Sequence, residues 1–582
     1  MNEEIAKIFN EIADILDAQE VDFKPFAYRK AARSLGDLQA DAADIYGQGG
    51  LKAVESIPGV GKSIGEKIEE YVLRGRIAEY DRLKSTLPAN FGEIAAVEGL
   101  GPKRAKILYE KLGIKDLADL EAAARENKIA GLFGFGKKSE VNILKSVEFK
   151  KRSRGRFLLS EVLPAALDVK DRIKSFSGSA RVEIAGSLRR RKETIGDIDL
   201  LAAVAGGPGG AKAAELMDFF TGLPEVEKVW AKGRTKSSVR TRAGFNMDLR
   251  VVPAESFGAA WQYFTGSKDH NIVLRRFAKE KGLKLSEYGL FKGEKSVAGT
   301  EEKNIYEKLG MRWICPELRE NRGEIEAALK SDLPAVIAYG SLRGDLHCHS
   351  DWDGGKDSIE AIAAAGRAMR YEYIGIADHT KFLKIENGLD EERLARRNKE
   401  IDKLNKKGEK IVILKGCEAN ILSDGSIDID NAALADLDFS IAGVHSSLKM
   451  SKKEMTKRII TAINNPYVDI IAHPTGRLIK KRPECEIDFD AVCAAAAKTG
   501  TILEINAHPD RLDLNDRHIR AAAMRGVKMI INTDAHRVSH LRFAEFGVAQ
   551  ARRGWARADN IINTRPWGEA KAFLKRNKKR VN

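Results

Sequence analysis

The chain has 582 residues, more than one hydrophobic core can organise, so its length excludes a one-domain protein and predicts roughly three to five domains. Its formal net charge of +15 indicates a polyanionic partner, of which nucleic acid fits best. The five cysteines include no Cys-x-x-Cys pair and so indicate neither a disulfide framework nor a cysteine zinc site, and no apolar run is long enough to span a membrane.

Residues 1–150 have the pattern of short helices separated by glycine-rich turns. Two turns share a glycine–apolar–glycine core followed by basic residues, and a third, at 132–138, is weaker. Such a turn exposes backbone N–H groups at a helix N-terminus, which can bind a phosphate without reading a base. A single copy could be a helix C-cap glycine, whereas two copies predict helix-hairpin-helix elements that bind DNA. The candidate residues are Gly59, Val60 and Gly61 in the first turn and Gly99, Leu100 and Gly101 in the second.

The segment 151–255 contains a cluster of carboxylates on predicted strands. Asp197 and Asp199 are one residue apart, so on a strand their side chains point to the same face. Asp248 lies in a second apolar strand pattern, 245–252. Such a pair is often only a solvated turn, but the Gly-Ser-x-x-Arg run at 186–190 adds phosphate-binding donors. Together they predict Mg²⁺ shared with substrate phosphates, as in two-metal nucleotidyl transfer.

The remainder of the chain contains two segments with different sequence patterns. Residues 256–330 contain a Tyr-Phe-Thr-Gly-Ser turn at 263–267 and a basic helical pattern, and we expect a linker at 331–344. From residue 345 onward, apolar runs at 373–377, 411–414, 439–442, 470–472, 501–503 and 529–531 alternate with helical segments. This order predicts a parallel α/β barrel.

Histidines follow several of these apolar runs. Active sites of α/β barrels gather at the carboxyl ends of the strands, so six histidines with Glu418 and Asp534 predict a metal cluster that hydrolyses a phosphoester. Imidazole and carboxylate ligands suit Zn²⁺, Mn²⁺ or Fe²⁺ alike. The remaining histidines, His270, His508, His518 and His540, fall outside this pattern and receive no metal role.

Taken together, these motifs resemble the bacterial and archaeal family X DNA polymerases that carry a C-terminal PHP domain. The resemblance covers nearly the whole chain and implies helical helix-hairpin-helix N-terminal domains, an α+β nucleotidyltransferase palm and thumb, and a distorted (β/α) PHP barrel. It implies the following domains: a lyase-like 8-kDa domain at 1–85, a second helix-hairpin-helix (fingers) domain at 86–150, the palm at 151–255, the thumb at 256–330, a linker at 331–344 and the barrel at 345–582.

The resemblance also implies roles for the polymerase residues. Asp197, Asp199 and Asp248 would bind two Mg²⁺ ions, and Asp248 would help to activate the primer 3′-hydroxyl. The implied nucleotide contacts are Gly186, Ser187, Arg190 and Gly196 at the triphosphate, with Arg156 as a further arginine; Tyr263, Phe264 and Gly266 at the sugar; and Asn271 and Arg275 in the minor groove.

Lys67 falls at the Schiff-base lysine position of the family's lyase domain. A lysine whose pKa is lowered could attack the C1′ aldehyde of an abasic sugar. A contact to a DNA phosphate is the alternative interpretation.

The barrel resembles the PHP ligand set, with two to three Mn²⁺ or Zn²⁺ ions. The implied ligands are His347, His349, His379, Glu418, His445, His473, Asp534 and His536. One position departs, because the family's aspartate falls on Gly354. Asp353 would substitute for it as a ligand after a local backbone shift.

The resulting functional hypothesis is a DNA-directed DNA polymerase that fills short gaps in base-excision-type repair, with AP/dRP lyase activity at Lys67. Its PHP domain would act as a Mn²⁺-dependent 3′-5′ exonuclease, an AP endonuclease or both. Alternatives are a PHP domain that hydrolyses small phosphate esters or serves as a metal-stabilised scaffold, and a terminal transferase without a template. Expected partners are gapped or primed duplex DNA and dNTPs, without a membrane, for a monomeric, cytoplasmic and nucleoid-associated protein.

Overall fold

The structure, a computed structural model, describes residues 1–575 apart from 38–40, 58, 89, 96, 98–99, 154, 178–180 and 409. The chain forms two compact units, Met1–Arg154 with Lys480–Pro483, and Gly155–Ile479 with Glu484–Asn582. Among the helices described, none is long and apolar enough to cross a membrane.

The first unit is helical, as predicted. Apolar residues at helical spacing are buried in two separate cores, one around Phe9 and Ile68 and one around Leu108 and Leu120. The helices are α1 (Asn2–Ala18), α2 (Lys24–Asp37), α3 (Ala42–Glu55), α4 (Lys62–Arg74), α5 (Ala78–Lys84), α6 (Phe91–Ala95), α7 (Gly101–Leu112), α8 (Leu117–Arg125) and α9 (Lys137–Ser153).

The second unit begins with the predicted α+β segment. Its strands are β1 (Phe157–Leu158), β2 (Arg181–Ile184), β3 (Thr194–Ile195), β4 (Asp197–Ala203), β5 (Val226–Lys232), β6 (Lys236–Thr241) and β7 (Asn246–Val251), and its helices are α10 (Leu159–Ser177), α11 (Gly186–Arg189) and α12 (Ala211–Thr221). Five strands form a sheet of order β2-β4-β7-β6-β5. Within it β4 and β7 are parallel, so both begin at the same edge of the sheet.

The next segment combines helices with a small antiparallel sheet of order β10-β9-β8. Its elements are α13 (Phe257–Thr265), α14 (Lys268–Glu280), β8 (Lys284–Ser286), β9 (Gly289–Lys292), β10 (Lys295–Ala298), α15 (Glu302–Lys308) and α16 (Glu324–Leu329). Buried Glu302 pairs with Arg319 at 2.6 Å and with Arg189 at 2.8 Å, which ties this segment to α11. Residues 331–343, most of the expected linker, contain no helix or strand.

The C-terminal segment is the predicted parallel α/β barrel. Its strands are β11 (Gly344–Cys348), β12 (Tyr373–Ile376), β13 (Val412–Lys415), β14 (Glu418–Asn420), β15 (Ile441–Gly443), β16 (Ile470–Ile471), β17 (Ile502–Asn506) and β18 (Met529–Asn532). Its helices are α17 (Ile359–Ala368), α18 (Glu391–Lys406), α19 (Asn431–Ala435), α20 (Lys452–Asn464), α21 (Phe489–Thr499), α22 (Asp516–Met524), α23 (Ala544–Arg553) and α24 (Trp567–Ala570).

The barrel consists of two parallel sheets, β11-β12-β13 and β14-β15-β16-β17-β18. Single bridges, Cys348–Ala535 and His379–Glu418, join the sheets on both sides and close the ring. Because every strand is parallel, the residues that follow the strands converge on one end of the barrel. The predicted strands at 373–377, 411–414, 439–442, 470–472, 501–503 and 529–531 are therefore confirmed, with small differences at their ends.

Candidate active sites

The three predicted aspartates lie at one edge of the five-stranded sheet. Asp199 on β4 is directly opposite Asp248 on β7, and Asp197 begins β4 beside Asn246. Asp197 is exposed, whereas Asp199 and Asp248 are half-buried. The parallel pairing of β4 and β7 thus brings together side chains that are about fifty residues apart in the chain.

This grouping of carboxylates has an electrostatic cost. Burial, together with the charges of Asp197 and Asp248, raises the pKa of Asp199 to about 6. Lys236, which the sequence analysis missed, lies 2.6 Å from Asp248 and offsets part of the repulsion. Oxygen donors with surplus negative charge fit a divalent cation such as Mg²⁺. Among the described residues, the groups of three or more donor atoms within 4.8 Å of one another all lie in the barrel. The three aspartates are therefore farther apart than the donors of a closed metal site.

The glycine–serine turn rests directly on Asp199. Gly186 has a positive φ of 62°, and a Cβ added there would be 3.2 Å from Asp199 Cγ and closer still to a carboxylate oxygen. The backbone N–H of Ala185 donates to the carbonyl of Asp199 at 2.8 Å. The half-buried Ser187 is consequently held beside the carboxylates at the start of α11.

The two predicted triphosphate arginines are both engaged by other protein groups. Arg156 Nε donates to Thr194 Oγ1 at 2.9 Å, next to Gly196. Arg190 Nε lies 3.1 Å from Glu320, and its guanidinium also donates to the carbonyl of Thr265. Burial lowers the pKa of Arg190, although Glu320 opposes this effect. A phosphate at Arg190 would therefore have to displace Glu320.

The Tyr-Phe-Thr-Gly-Ser segment comprises the last three residues of α13 and the two residues that join it to α14. The first of these helices ends at Thr265, Gly266 has a φ of 69°, and the Gly266–Ser267 peptide is cis. Asn271 Nδ2 donates to the Tyr263 carbonyl at 2.7 Å.

Side-chain contacts hold this turn in place. Asn271 Oδ1 accepts from Gln262 Nε2 at 2.8 Å, a partner that the sequence analysis did not identify. The Arg275 guanidinium is 5.9 Å from the centre of the Tyr263 ring, and that of Arg250 is 4.6 Å from the Phe264 ring.

Glu418 is at the centre of the barrel cluster. One of its oxygens lies 3.2 Å from His347 Nε2 and 2.9 Å from His379 Nδ1, and the other lies 3.2 Å from His445 Nε2 and 3.0 Å from His473 Nε2. The groups of donor atoms within 4.8 Å of one another are His347–His349–Glu418–Asp534, His379–Glu418–His445, His349–His379–His536 and His349–Asp353–Asp378. The structure thus brings together all eight ligands that the resemblance implied.

Several ring nitrogens in this cluster fit metal ligation. His347 Nε2, His349 Nε2 and His379 Nδ1 are buried and lie 3.2, 3.4 and 2.9 Å from a carboxylate oxygen, but none of these contacts has the geometry of a hydrogen bond. An unpaired buried polar atom is costly, so a bound cation would satisfy them. Imidazole and carboxylate donors in this number suit Mn²⁺ or Zn²⁺.

A second layer orients the histidine ligands. Glu504 lies 2.7 Å from His347 Nδ1, and Asn420 lies 2.7 Å from His445 Nδ1. Such partners fix the ring orientation and leave the other nitrogen free for a metal. The sequence analysis missed both, although their positions on strands β17 and β14 of the barrel were a usable signal.

Burial and neighbouring charges set the protonation of these histidines. Burial and nearby imidazoles lower the pKa of His445 to about 4 and that of His536 to about 3, which favours neutral ligands. Burial also acts to lower the pKa of His349, but Asp353 and Asp534 together outweigh it and raise that pKa to about 10. A metal at His349 would therefore displace a proton.

Asp353 lies beside His349 rather than facing an open site. Its Oδ2 atom is 2.7 Å from His349 Nδ1 and accepts from the backbone N–H of His379 at 2.8 Å. Its Oδ1 atom accepts from the N–H of Gly355 at 2.9 Å. This arrangement fits a residue that orients a ligand, and the direct metal role of Asp353 stays a prediction.

In the helical unit, both predicted hairpins precede helices. Gly59 has a φ of 82° and Gly61 caps α4, while Leu100 caps α7, which begins at Gly101. Both turns present helix N-termini, as phosphate binding requires. Gly99 is outside the described residues.

Lys67 on α4 is held in an ion pair. Its Nζ atom lies 2.9 Å from Glu79 and donates to the carbonyl of Ser63 at 3.0 Å. Burial lowers the pKa of Lys67, but Glu79 and Tyr28 together outweigh that effect and raise it. A protonated amine suits a phosphate contact better than nucleophilic attack, so the lyase role stays a prediction.

Comparison with known proteins gives matches in both units. Family models match as a DNA polymerase beta thumb at 260–320, a helix-hairpin-helix domain at 1–77 and a SAM-like helix-hairpin-helix tandem at 91–148. These matches confirm the thumb and the helix-hairpin-helix domains of the predicted fold class.

Among curated proteins, the chain is 39% identical over 559 residues to the DNA polymerase/3′-5′ exonuclease PolX of Bacillus subtilis, covering 95% of this chain and 96% of that protein. It is 25% identical over 353 residues to DNA polymerase lambda of Arabidopsis thaliana, covering 55% of this chain and 62% of that protein. A probable phosphatase of Clostridium acetobutylicum is 33% identical over 145 residues, or 23% of this chain and 57% of that protein.

Proposed function

The chain belongs to the PolX family of DNA polymerases, and from that premise we propose an enzyme that both builds and trims primer ends at gaps in DNA. It is a DNA polymerase and 3′-5′ exonuclease that depends on divalent metal ions and binds DNA and deoxynucleoside triphosphates. The observation that carries the two-site proposal is the presence of two separate clusters, one of carboxylates on β4 and β7 and one of histidines and carboxylates at the end of the barrel.

In the first site, Asp197, Asp199 and Asp248 would hold two Mg²⁺ ions. Magnesium, when bound, supplies positive charge for attack of the primer 3′-hydroxyl on the α-phosphorus, with pyrophosphate as the leaving group. Asp248 would accept the proton of the 3′-hydroxyl as the oxygen–phosphorus bond forms. The position of Asp248 supports this role, because it lies directly opposite Asp199 on the neighbouring parallel strand.

The triphosphate would lie along the Gly186–Ser187 turn and the Gly196 backbone. Arg156 is beside Gly196, and Arg190 would exchange its Glu320 partner for a phosphate oxygen. Charge-assisted contacts from arginine to phosphate are short and strong, which makes the exchange favourable once a nucleotide is present.

Template and sugar contacts would come from the α13–α14 junction. Tyr263, Phe264 and Gly266 form the turn that would exclude a ribose 2′-hydroxyl, and Asn271 and Arg275 would face the minor groove. Asn271 and Arg275 are already oriented by contacts to Tyr263, which supports a preformed surface. Templated filling of a short gap is favoured over untemplated addition because the helical unit offers two phosphate-binding hairpins.

In the second site, the barrel would bind Mn²⁺ or Zn²⁺ and hydrolyse a phosphodiester at a 3′ end or at an abasic site. The metal ions, when bound, would lower the pKa of a coordinated water. The unpaired ring nitrogens support this proposal, and Glu504 and Asn420 would hold His347 and His445 in ligating orientation. Two to three ions are proposed from the number of overlapping donor groups.

The central test separates the two sites. Asp197→Ala/Asp199→Ala should reduce nucleotide incorporation on a gapped duplex by at least about 10³-fold, since the metal ions that would neutralise the triphosphate lose two of their carboxylate ligands. The same protein should still degrade a primer in Mn²⁺. His347→Ala/His349→Ala should have the converse effect. Incorporation by the aspartate variant, or degradation by the histidine variant, would contradict the assignment.

A second function is favoured by the similarity to a probable phosphatase, namely hydrolysis of small phosphate esters by the barrel. Competition of single-stranded DNA with p-nitrophenyl phosphate would distinguish the two substrates. A scaffold without hydrolytic activity would lose thermal stability on metal removal and degrade neither. We further propose that the enzyme acts as a monomer at the nucleoid, which light scattering and localisation of the full chain would check.

A further inference from the structure

One arginine lies directly beside the metal cluster of the barrel. Arg511 is in the turn between β17 and α22, and its Nε atom lies 3.5 Å from Asp534 Oδ2. The other oxygen of Asp534 faces the cluster, 3.4 Å from His349 Nε2 and 3.7 Å from His347 Nε2. A single carboxylate therefore separates the Arg511 guanidinium from the ring nitrogens that are proposed to bind metal.

The contacts of Arg511 leave most of its donors available. Asn506 Nδ2 already donates to Asp534 Oδ2 at 3.1 Å, a shorter contact than that of Arg511. Within the described part of the chain Arg511 makes no other ion pair, and its side chain is 23% exposed. By contrast, Arg477 of the same barrel is 9% exposed and pairs with Glu193 at 2.8 Å. A guanidinium has five N–H donors in a fork that matches two phosphate oxygens, so Arg511 can still bind an anion.

An aromatic cluster shares this turn with Arg511. The backbone N–H of Arg511 donates to the His508 carbonyl at 2.8 Å. The centre of the His508 ring lies 5.6 Å from that of His540 and 5.4 Å from that of Phe543. The rings of His540 and Phe543 are stacked, with centres 4.8 Å apart and planes at 27°. All three side chains are half-buried, so these residues form an aromatic wall, His508–His540–Phe543, that a ligand can reach.

The aromatic wall contains a polar atom that lacks a partner. His540 Nδ1 is buried and has no hydrogen-bond partner among the residues that the structure describes, which is costly unless a ligand or water supplies one. Burial is the largest cause that lowers the pKa of His540 to about 4, so this ring is neutral near pH 7. A neutral aromatic wall next to a guanidinium suits a ligand with a flat ring at one end and an anion at the other.

We propose that Arg511 and the aromatic wall bind the last nucleotide of a DNA 3′ end, with Arg511 at its phosphate and the wall at its base. The inference rests on the proposed metal site of the barrel and names the substrate contacts of that site. Hydrolysis adds hydroxide from water to the phosphorus and a proton to the leaving 3′-oxygen. The products are a nucleoside 5′-monophosphate and a shorter strand with a free 3′-hydroxyl. Stacking accepts any base, because every base has an aromatic face.

The first test distinguishes a substrate contact from a structural role. Arg511→Met should lower kcat/KM for Mn²⁺-dependent degradation of a single-stranded oligonucleotide by about 10²- to 10³-fold, the effect of losing one donor at a developing charge. Mn²⁺ affinity, titrated calorimetrically into the full chain, should not change. Arg511→Lys should recover part of the activity, since it restores the charge without the fork.

Arg525→Met is the matched control. Arg525 is an exposed arginine that pairs with Asp490 at 2.7 Å, and it lies between α22 and the start of β18, at the amino ends of the barrel strands. This variant should degrade the oligonucleotide as the wild type does.

The second test measures product binding. Deoxyadenosine 5′-monophosphate and inorganic phosphate are titrated calorimetrically into the Mn²⁺-loaded full chain. The wild type should bind the nucleotide more tightly than phosphate, because stacking adds to the phosphate contact. Phe543→Ala should lose on the order of 10-fold in nucleotide affinity while its phosphate affinity is retained. Arg511→Met should bind both probes more weakly.

The inference is overturned if Arg511→Met degrades DNA normally, or if excess Mn²⁺ restores its activity, which would assign Arg511 to the orientation of Asp534. Equal wild-type affinities for the nucleotide and for phosphate would also overturn it, because the aromatic wall would then not bind a base. If the wild type bound no Mn²⁺ and degraded no DNA, the proposed metal site itself would fail, so the two failures are distinguishable.

Discussion

At the scale of single residues, Asp199 is the clearest example of a side chain whose position costs folding free energy. Its carboxylate is packed beside Gly186 and opposite Asp248, with burial as the largest cause of its raised pKa. A shift from 3.8 to about 6 corresponds to about 3 kcal/mol of unfavourable free energy when the group is ionised. Partial solvent access and Lys236 reduce that figure.

The sign of the effect gives a pH-dependent prediction for Asp199→Asn. Because the pKa is higher in the folded state, Asp199 destabilises the metal-free protein progressively between about pH 4 and pH 6 and fully above pH 6. The variant should therefore melt a few degrees higher than the wild type at pH 8 without metal, and at the same temperature near pH 4. Differential scanning calorimetry with a chelator measures this, and a lower melting temperature at pH 8 would contradict it.

At the scale of elements, the short helix α11 positions the proposed phosphate-binding turn on β4. Its first residue must be glycine for two reasons: a positive φ, and a side-chain position already occupied by the Asp199 carboxylate. Glycine in a sequence motif often reflects only a positive φ. Here the contact with the Asp199 carboxylate also connects the turn to the aspartates in space.

Gly186→Ala should therefore reduce incorporation strongly while the protein remains folded. The added methyl group would push the Ser187 turn away from Asp199, and a displacement near 1 Å costs on the order of 100-fold in rate. Gly206→Ala is the control, because Gly206 also has a positive φ but its Cβ would meet open space. Steady-state kinetics on a gapped duplex should separate them, and equal losses in both variants would refute a role for the collision with Asp199.

At the scale of the whole molecule, the second unit joins its segments through buried ion pairs. Arg553 of the barrel lies 3.0 Å from Glu320 and 2.7 Å from Asp516, and Glu320 also pairs with Arg190. Arg477 of the barrel pairs with Glu193 at 2.8 Å. Ion pairs thus connect the polymerase and barrel segments, and Glu320 pairs both with Arg553 of the barrel and with Arg190, the proposed triphosphate arginine.

Arg553→Met should affect the distant polymerase site. Without Arg553, Glu320 would interact more strongly with Arg190, so we expect a several-fold higher KM for the incoming nucleotide. Two carboxylates would lose a buried partner, and removal of one member of such a pair costs roughly 3–5 kcal/mol. Nucleotide kinetics and urea unfolding check both effects. Arg557→Met, which removes an exposed arginine, is the control, and an unchanged KM in Arg553→Met would contradict the coupling.

The sequence by itself determined the features that depend on short-range periodicity. Alternation along a strand placed Asp197 and Asp199 on one side, glycine turns before basic helical patterns predicted the hairpins, and histidines after apolar runs predicted the barrel site. Each is visible because the backbone repeat of a strand or helix dictates which neighbours share a face.

Only the tertiary structure decided which distant groups meet. The hydrogen-bonded residues His347 and Glu504 are 157 residues apart in the chain, and the ion pair of Arg190 and Glu320 joins residues 130 apart. No local repeat encodes such pairs, because they arise when separate elements pack and each buried charge needs a partner. For that reason the candidate metal-binding side chains could be predicted from the sequence. The residues that orient them and the ion pair between Arg190 and Glu320 could not.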